Sequence, residues 1–128
     1  MTWNKSQAVS SARMRAYAES QKRCAHYVTL WVKAGGIDIP FTHYAKDMGL
    51  TLKHAGFYET HGHPRDGDIA VIQPYPGGNP AGHACIYDGQ YHQWISDFKQ
   101  SQGGGVDGMY PGPGYRKYRP VFKIYRHD

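Results

Sequence analysis

The chain of 128 residues carries 15 Lys and Arg against 10 Asp and Glu, a net charge of +5, and two cysteines. That length suits a single domain, residues 1–128, with a real core. Two cysteines exclude a disulfide framework, and no apolar run approaches the roughly 20 residues that cross a bilayer.

The N-terminus, "MTWNKSQAVSSARMRAY", lacks the apolar middle of a secretion signal. The expectation is synthesis in the cytoplasm without a signal peptide and without membrane insertion. The basic balance favours an anionic partner, for which nucleic acid, anionic lipid and bacterial cell wall all qualify. Residues 5–19 predict a weakly amphipathic helix with Val9, Ala12 and Ala16 on one side. From Cys24 the pattern sharpens. Cys24, Tyr27, Val28, Trp31 and Val32 form the stripe of a helix buried on one face, ended by Gly35-Gly36. A third helix is expected from a Thr42 cap through Ala45, Met48 and Leu52 to Gly56. Gly49 inside it costs about 1 kcal/mol relative to Ala.

After Gly56 the period changes to short β-rich runs: "FYET", "DIAVIQ", "HACIYD", "YHQWIS" and "VFKIYR". "YDGQY" reads as the turn of a hairpin. "QSQGGGVDGMYPGPG" reads as a long surface loop. Helices followed by antiparallel strands predict an α+β domain, with the N-terminal helices packed on one face of an about five-stranded sheet.

The first turn of a helix stabilises a thiolate through unpaired N–H groups and partial positive charge, and Lys22 and Arg23 add to that at Cys24. By position alone the reading of Cys24 as a member of the apolar stripe is favoured, so a matching base decides its role. Eight histidines compete: His26, His43, His54, His61, His63, His83, His92 and His127. His83 stands apart because it opens a strand after the flexible "YPGGNPAG" loop, where its ring can face a cleft. In a hairpin turning at Asp88-Gly89, Asp97 returns to the level of His83 and could fix its tautomer. Ser96 is the alternative orienting group. Thiol, imidazole and polar third group are the parts of nucleophilic acyl transfer.

The stretches "RCAHYVTLWVKAGG", "AKDMGLTLKHAGFYE", "HPRDGDIAVIQ" and "GHACIYDGQYHQWISDF" resemble the NlpC/P60 and CHAP superfamily of papain-like cysteine peptidases and amidases over roughly residues 20 to 98. "RDGDIAVI" is similar to the strand before that family's histidine, and "GHACIYDG" to its Gly-His segment. The chain departs from the family's frequent Asp-Cys-Ser-Gly, having Arg23-Cys24-Ala25-His26 instead. The resemblance implies a papain-like fold, Cys24 as nucleophile, His83 as base, Asp97 as third residue, and no cofactor or metal. It implies a peptidoglycan stem peptide as substrate, with Arg23 and Tyr27 among its contacts. The small basic domain is similar to antibacterial amidase effectors of type VI secretion, which act in the periplasm of a target bacterium and can have a cognate immunity protein. A phage-type lysin is the alternative within the family.

Two rivals come from other classes. His61 with His63, and His83 with Cys85, could each lend zinc two ligands, yet no CxxC or HExxH spacing supports such a site. Tyrosine and arginine could also bind single-stranded nucleic acid, but the positive charge forms no dense stripe. Cys85 reads as a small core residue. A Cys24–Cys85 bridge is disfavoured in a reducing compartment.

Overall fold

The computed structural model describes residues 2–128. Helices α1 (Lys5–Arg15) and α2 (Cys24–Ala34) come first. A 3₁₀ turn over Ala45–Asp47 leads into α3 (Met48–His54). Five strands follow: β1 (Tyr58–Thr60), β2 (Ile69–Ile72), β3 (His83–Asp88), β4 (Gln93–Ile95) and β5 (Phe122–Arg126). Two short helices, α4 (Val106–Met109) and α5 (Pro113–Tyr118), lie between the last two strands. The sheet order is β1-β5-β2-β3-β4, and every pairing is antiparallel. The fold is therefore α+β with a five-stranded antiparallel sheet.

Alternation along the strands divides the core in two. Ile69, Val71, Ala84, Ile86, Ile95 and Tyr125 face α1, α2 and α3. Ala70, Ile72, Cys85, Tyr87, Trp94 and Ile124 face the other way, onto Met109, Tyr110 and Tyr115. The stretch expected to be a surface loop is thus the lid of the second core. Met109 and Tyr110 are almost fully buried because the sheet's second face is as apolar as its first and must be covered.

Helix α2 begins and ends as its apolar stripe predicts. Val28, Trp31 and Val32 are buried against the sheet, each stabilising the fold by about 1.5–3 kcal/mol. Trp31 Nε1 donates to Ser96 O at 2.7 Å, tying the helix to the end of β4. Helix α1 stops at Arg15, earlier than expected, because the Tyr17 backbone leaves to pair with the chain beyond β4. Tyr17 N donates to Asp97 O, and Lys99 N donates to Tyr17 O. The third helix is shorter than its pattern, and Thr42 does not cap it. Gly49 has a packing reason: a Cβ there would run into the Tyr125 hydroxyl of β5.

Asp88, at the β3–β4 turn, is fully buried and grips Arg13 of α1 through two bonds, at 2.8 and 2.9 Å. Burial alone would push its carboxyl up. Arg13, with the Tyr91 and Gln90 backbone donors, holds it below the ordinary value instead. Arg13→Ala strands that carboxylate and is expected to cost about 3 kcal/mol by urea unfolding at neutral pH. Because the folded value is depressed, the pair's contribution is present above the unfolded carboxylate pKa and fades as pH falls through the folded one. The gap between variant and wild type should therefore narrow in acid, and a constant gap would remove the pair from the account.

Candidate active site

Cys24 and His83 line one cavity of about 650 Å³. The sulfur comes from the first residue of α2, on the helical side of the sheet. His83 pairs with Ile72, so its ring lies on the opposite face, beside Tyr115 at 6.1 Å between ring centroids. The two layers meet at the end of the sheet, where β4 has stopped and no longer screens β3.

The register explains this opening. Beyond the Ile86↔Ile95 pair, Asp97 would stand opposite Ala84, but the strand has ended. The Ala84 N–H reaches the Cys24 sulfur instead. Burial pushes the Cys24 thiol up, and the Ala84 N–H pulls it partly back down. Burial also pushes the His83 imidazole down, against smaller upward effects of Gln100 and Asp97. Both shifts favour the neutral thiol and imidazole over the ion pair at rest.

His83 does not take Asp97 as its partner. Its Nε2 lies 2.7 Å from Gln100 Oε1. The Gln100 amide nitrogen donates to Gly108 O at 2.8 Å and Met109 O at 2.9 Å. Both amide protons are therefore committed to carbonyls, and Oε1 must be the acceptor toward the ring. Nε2 then carries the proton, and Nδ1 is the basic atom of the neutral imidazole. The amide orientation fixes the tautomer without adding charge.

The expected orienting role of Asp97 thus needs correcting. The hairpin does return Asp97 to the level of His83, but onto the face of Ala84, because neighbouring side chains alternate. The chain then folds back, with Lys99 bridging to Ile95 and Gln100 N donating to Trp94 O, and Gln100 arrives under the ring. Nothing in "FKQSQGGG" signals this turn. The Asp97 carboxylate faces the other way along the chain. It accepts from Gln21 N at 2.5 Å, Arg23 N at 3.3 Å and Ser96 Oγ at 3.1 Å. It holds the turn that delivers Cys24, in which Lys22 takes a left-handed φ of 57°, a conformation disfavoured for non-glycine residues. The Ser96 hydroxyl is occupied with Asp97 and Phe98 rather than with His83.

Arg23 lines the cavity, as do Ala25 and His26. No side chain caps α2, so the first-turn N–H groups remain available to an anion. Tyr27, expected to touch substrate, is not part of the lining. Its ring packs edge-on to Tyr17 at 5.8 Å and beside Trp31. His83 is placed by Gly82, whose φ is 71° and where a Cβ would lie 2.5 Å from Ile72 O. Cys24 and Cys85 are both free thiols. Among the described residues, no three His, Cys, Asp or Glu side chains gather as a metal site. No helix among them is long and apolar enough to cross a membrane.

No family model matches the chain, and no curated protein does. Solved structures do. A chain of the native type VI effector–immunity complex Tae3–Tai3 from Ralstonia pickettii is 44% identical, with a TM-score of 0.88, over 98% of this chain and 100% of that one. The selenomethionine form of the same complex matches at 46% identity and a TM-score of 0.83, covering 93% and 98% of the two chains. The chain belongs to the Tae3 family of type VI effectors. The likeness to Tae3 covers nearly the whole chain, α4 and α5 included.

Two outcomes test this geometry. Gln100→Ala should lower turnover of the natural substrate by roughly 100-fold, because the ring loses its fixed tautomer; undiminished turnover would dismiss the orienting role. The lowered imidazole pKa predicts a sign for the pH profile as well. Were His83 to act as a general base it would have to be neutral, so the acid limb of kcat/KM should lie below the ordinary imidazole value of 6.5. A limb at or above that value contradicts a buried, amide-paired His83.

Proposed function

We propose that the protein is a thiol amidase that cleaves an amide bond in the peptide of bacterial peptidoglycan. In this reading Cys24 is the nucleophile, His83 the base and Gln100 the residue that orients it. The observation that carries the reading is His83 lining the cavity of Cys24 with Gln100 bonded behind it, the amide turned so that Nδ1 is basic. Kinship with Tae3 supports the same reading and favours a secreted effector over a phage-type lysin.

The chemistry follows from the protonation states. His83 Nδ1 accepts the thiol proton as the Cys24 sulfur bonds to the amide carbonyl carbon. The carbonyl oxygen becomes an oxyanion, and N–H groups of the first turn of α2 stabilise it. Nδ1–H then protonates the leaving nitrogen as the C–N bond breaks, leaving a thioester and a free amine. Water attacks the thioester carbonyl, giving its proton to Nδ1. The C–S bond breaks and the thiol is restored. A neutral resting pair suits this order, because the proton moves only when a carbonyl is in place.

Delivery follows from kinship rather than from the fold. The related Tae3 is found in complex with Tai3. By analogy the protein acts in the periplasm of a target bacterium after type VI delivery and is neutralised by a cognate immunity protein. Lys22 and Arg23 on the cavity rim suit a substrate peptide with carboxylates, and they would also suit an acidic inhibitor surface.

Mass analysis of muropeptides after incubation of sacculi with purified protein tests the reading. Cleaved stem peptides should appear with the wild type. Cys24→Ala and His83→Ala should each reduce them by at least about 1000-fold while leaving the far-UV spectrum unchanged. Digestion that survives Cys24→Ala would remove the nucleophile and the mechanism with it.

A further inference from the structure

Among the described residues, two buried side-chain polar atoms have no hydrogen-bond partner: Thr42 Oγ1 and Tyr115 Oη. Both residues line the cavity of Cys24 and His83. Native interiors pair nearly all such atoms, because an orphan gives up hydration without return. That the two exceptions coincide in one cavity calls for an explanation.

The hydroxyls come from different walls. Thr42 sits in the segment between α2 and the 3₁₀ turn; Tyr115 sits on α5, on the far side of the sheet. The Tyr115 side chain is rigidly placed. It is 8% exposed, meets Tyr75 edge-on at 4.9 Å, stacks with Tyr110 at 6.3 Å and flanks the His83 ring. With χ angles held by three rings, the hydroxyl is fixed without any bond of its own. Burial above all, with the ionisable Cys24 and Tyr75 nearby, pushes the phenol up to about 12, so it is a donor at neutral pH. The Asp97 carboxylate, also in the lining, already accepts three bonds.

We propose that Thr42 and Tyr115 bind the backbone of the substrate peptide. The Tyr115 hydroxyl donates to a carbonyl of the chain seated at Cys24, and the Thr42 hydroxyl makes a second hydrogen bond from the other wall. The proposal rests on the thiol-amidase reading of this cavity and adds to it a ligand class, a chain with polar groups on both sides of the attacked carbonyl. An isolated amide without flanking backbone would leave one or both hydroxyls unpaired and would be a poor substrate.

The test compares two reagents on the wild type, Tyr115→Phe and Thr42→Val, which remove the hydroxyl and little else. Iodoacetamide reports the thiol itself. A dipeptidyl chloromethyl ketone reports the same thiol with a peptide backbone held against it. The ketone-to-iodoacetamide rate ratio should fall roughly tenfold in each variant, the worth of one good hydrogen bond. The melting temperature should stay at or above that of the wild type, since an orphaned group has been removed. An unchanged ratio overturns the proposal. So does a fall in both rates with a lowered melting temperature, which marks a structural role. Wild-type protein that leaves sacculi intact overturns the peptidoglycan reading alone, because the ketone ratio still decides whether the hydroxyls hold a peptide.

Discussion

The seating of α2 on β3 is the contact from which the rest of the site follows. Val28, Trp31 and Val32 are buried on the sheet, and the Trp31 indole is tied to the Ser96 carbonyl. A rigid helix so anchored has no freedom left at its first residue. Cys24 therefore stands at the end of the sheet, against the N–H of Ala84, where β4 no longer supplies a neighbour. Shortening β4 by a residue or two is what opens β3 to the helix terminus. An antiparallel sheet continued past Ile95 would have closed the cavity.

Around that contact the protein separates two tasks that one carboxylate might have shared. Asp97, buried, shapes the turn that delivers Cys24 by accepting backbone N–H groups on both sides of Lys22. Gln100, neutral, sets the imidazole. The division has an electrostatic consequence. A carboxylate bonded to His83 would have favoured imidazolium and drawn the thiol toward a thiolate at rest. An amide orients the ring equally well and leaves the depressing effect of burial dominant.

The second core carries a comparable constraint. The 100–118 segment buries Met109, Tyr110 and Tyr115 over Cys85, Tyr87 and Trp94. In doing so it presents the Gly108 and Met109 carbonyls to the Gln100 amide and the Tyr115 ring to His83. Packing and tautomer are thereby coupled, since a shift of this segment disturbs the amide and the amide disturbs the ring. Cys85 belongs wholly to this core, fully buried with its thiol near the Met109 carbonyl. Its burial agrees with the plain reading of a small side chain on a central strand.

Local pattern in the sequence was enough for the helix from Cys24 to Gly35, the five strand runs, the hairpin at Asp88-Gly89 and the choice of Cys24 and His83 as residues that line one cavity. Those features depend on periodicity, turn chemistry and residue type, all of which are written within a few neighbours. Only tertiary structure decided which group meets His83, where α1 ends, and that the glycine-rich stretch covers the sheet rather than lying at the surface. Asp97 was the natural candidate for an extended hairpin. Alternation along the strand puts it on the face of Ala84, and a fold-back between Ile95 and Lys99, beside the bridge from Tyr17 to Phe98, brought Gln100 round instead. Thr42 was read as a helix cap for the same reason that it proved otherwise: a hydroxyl's partner depends on what surrounds it in space, which no spacing along the chain records.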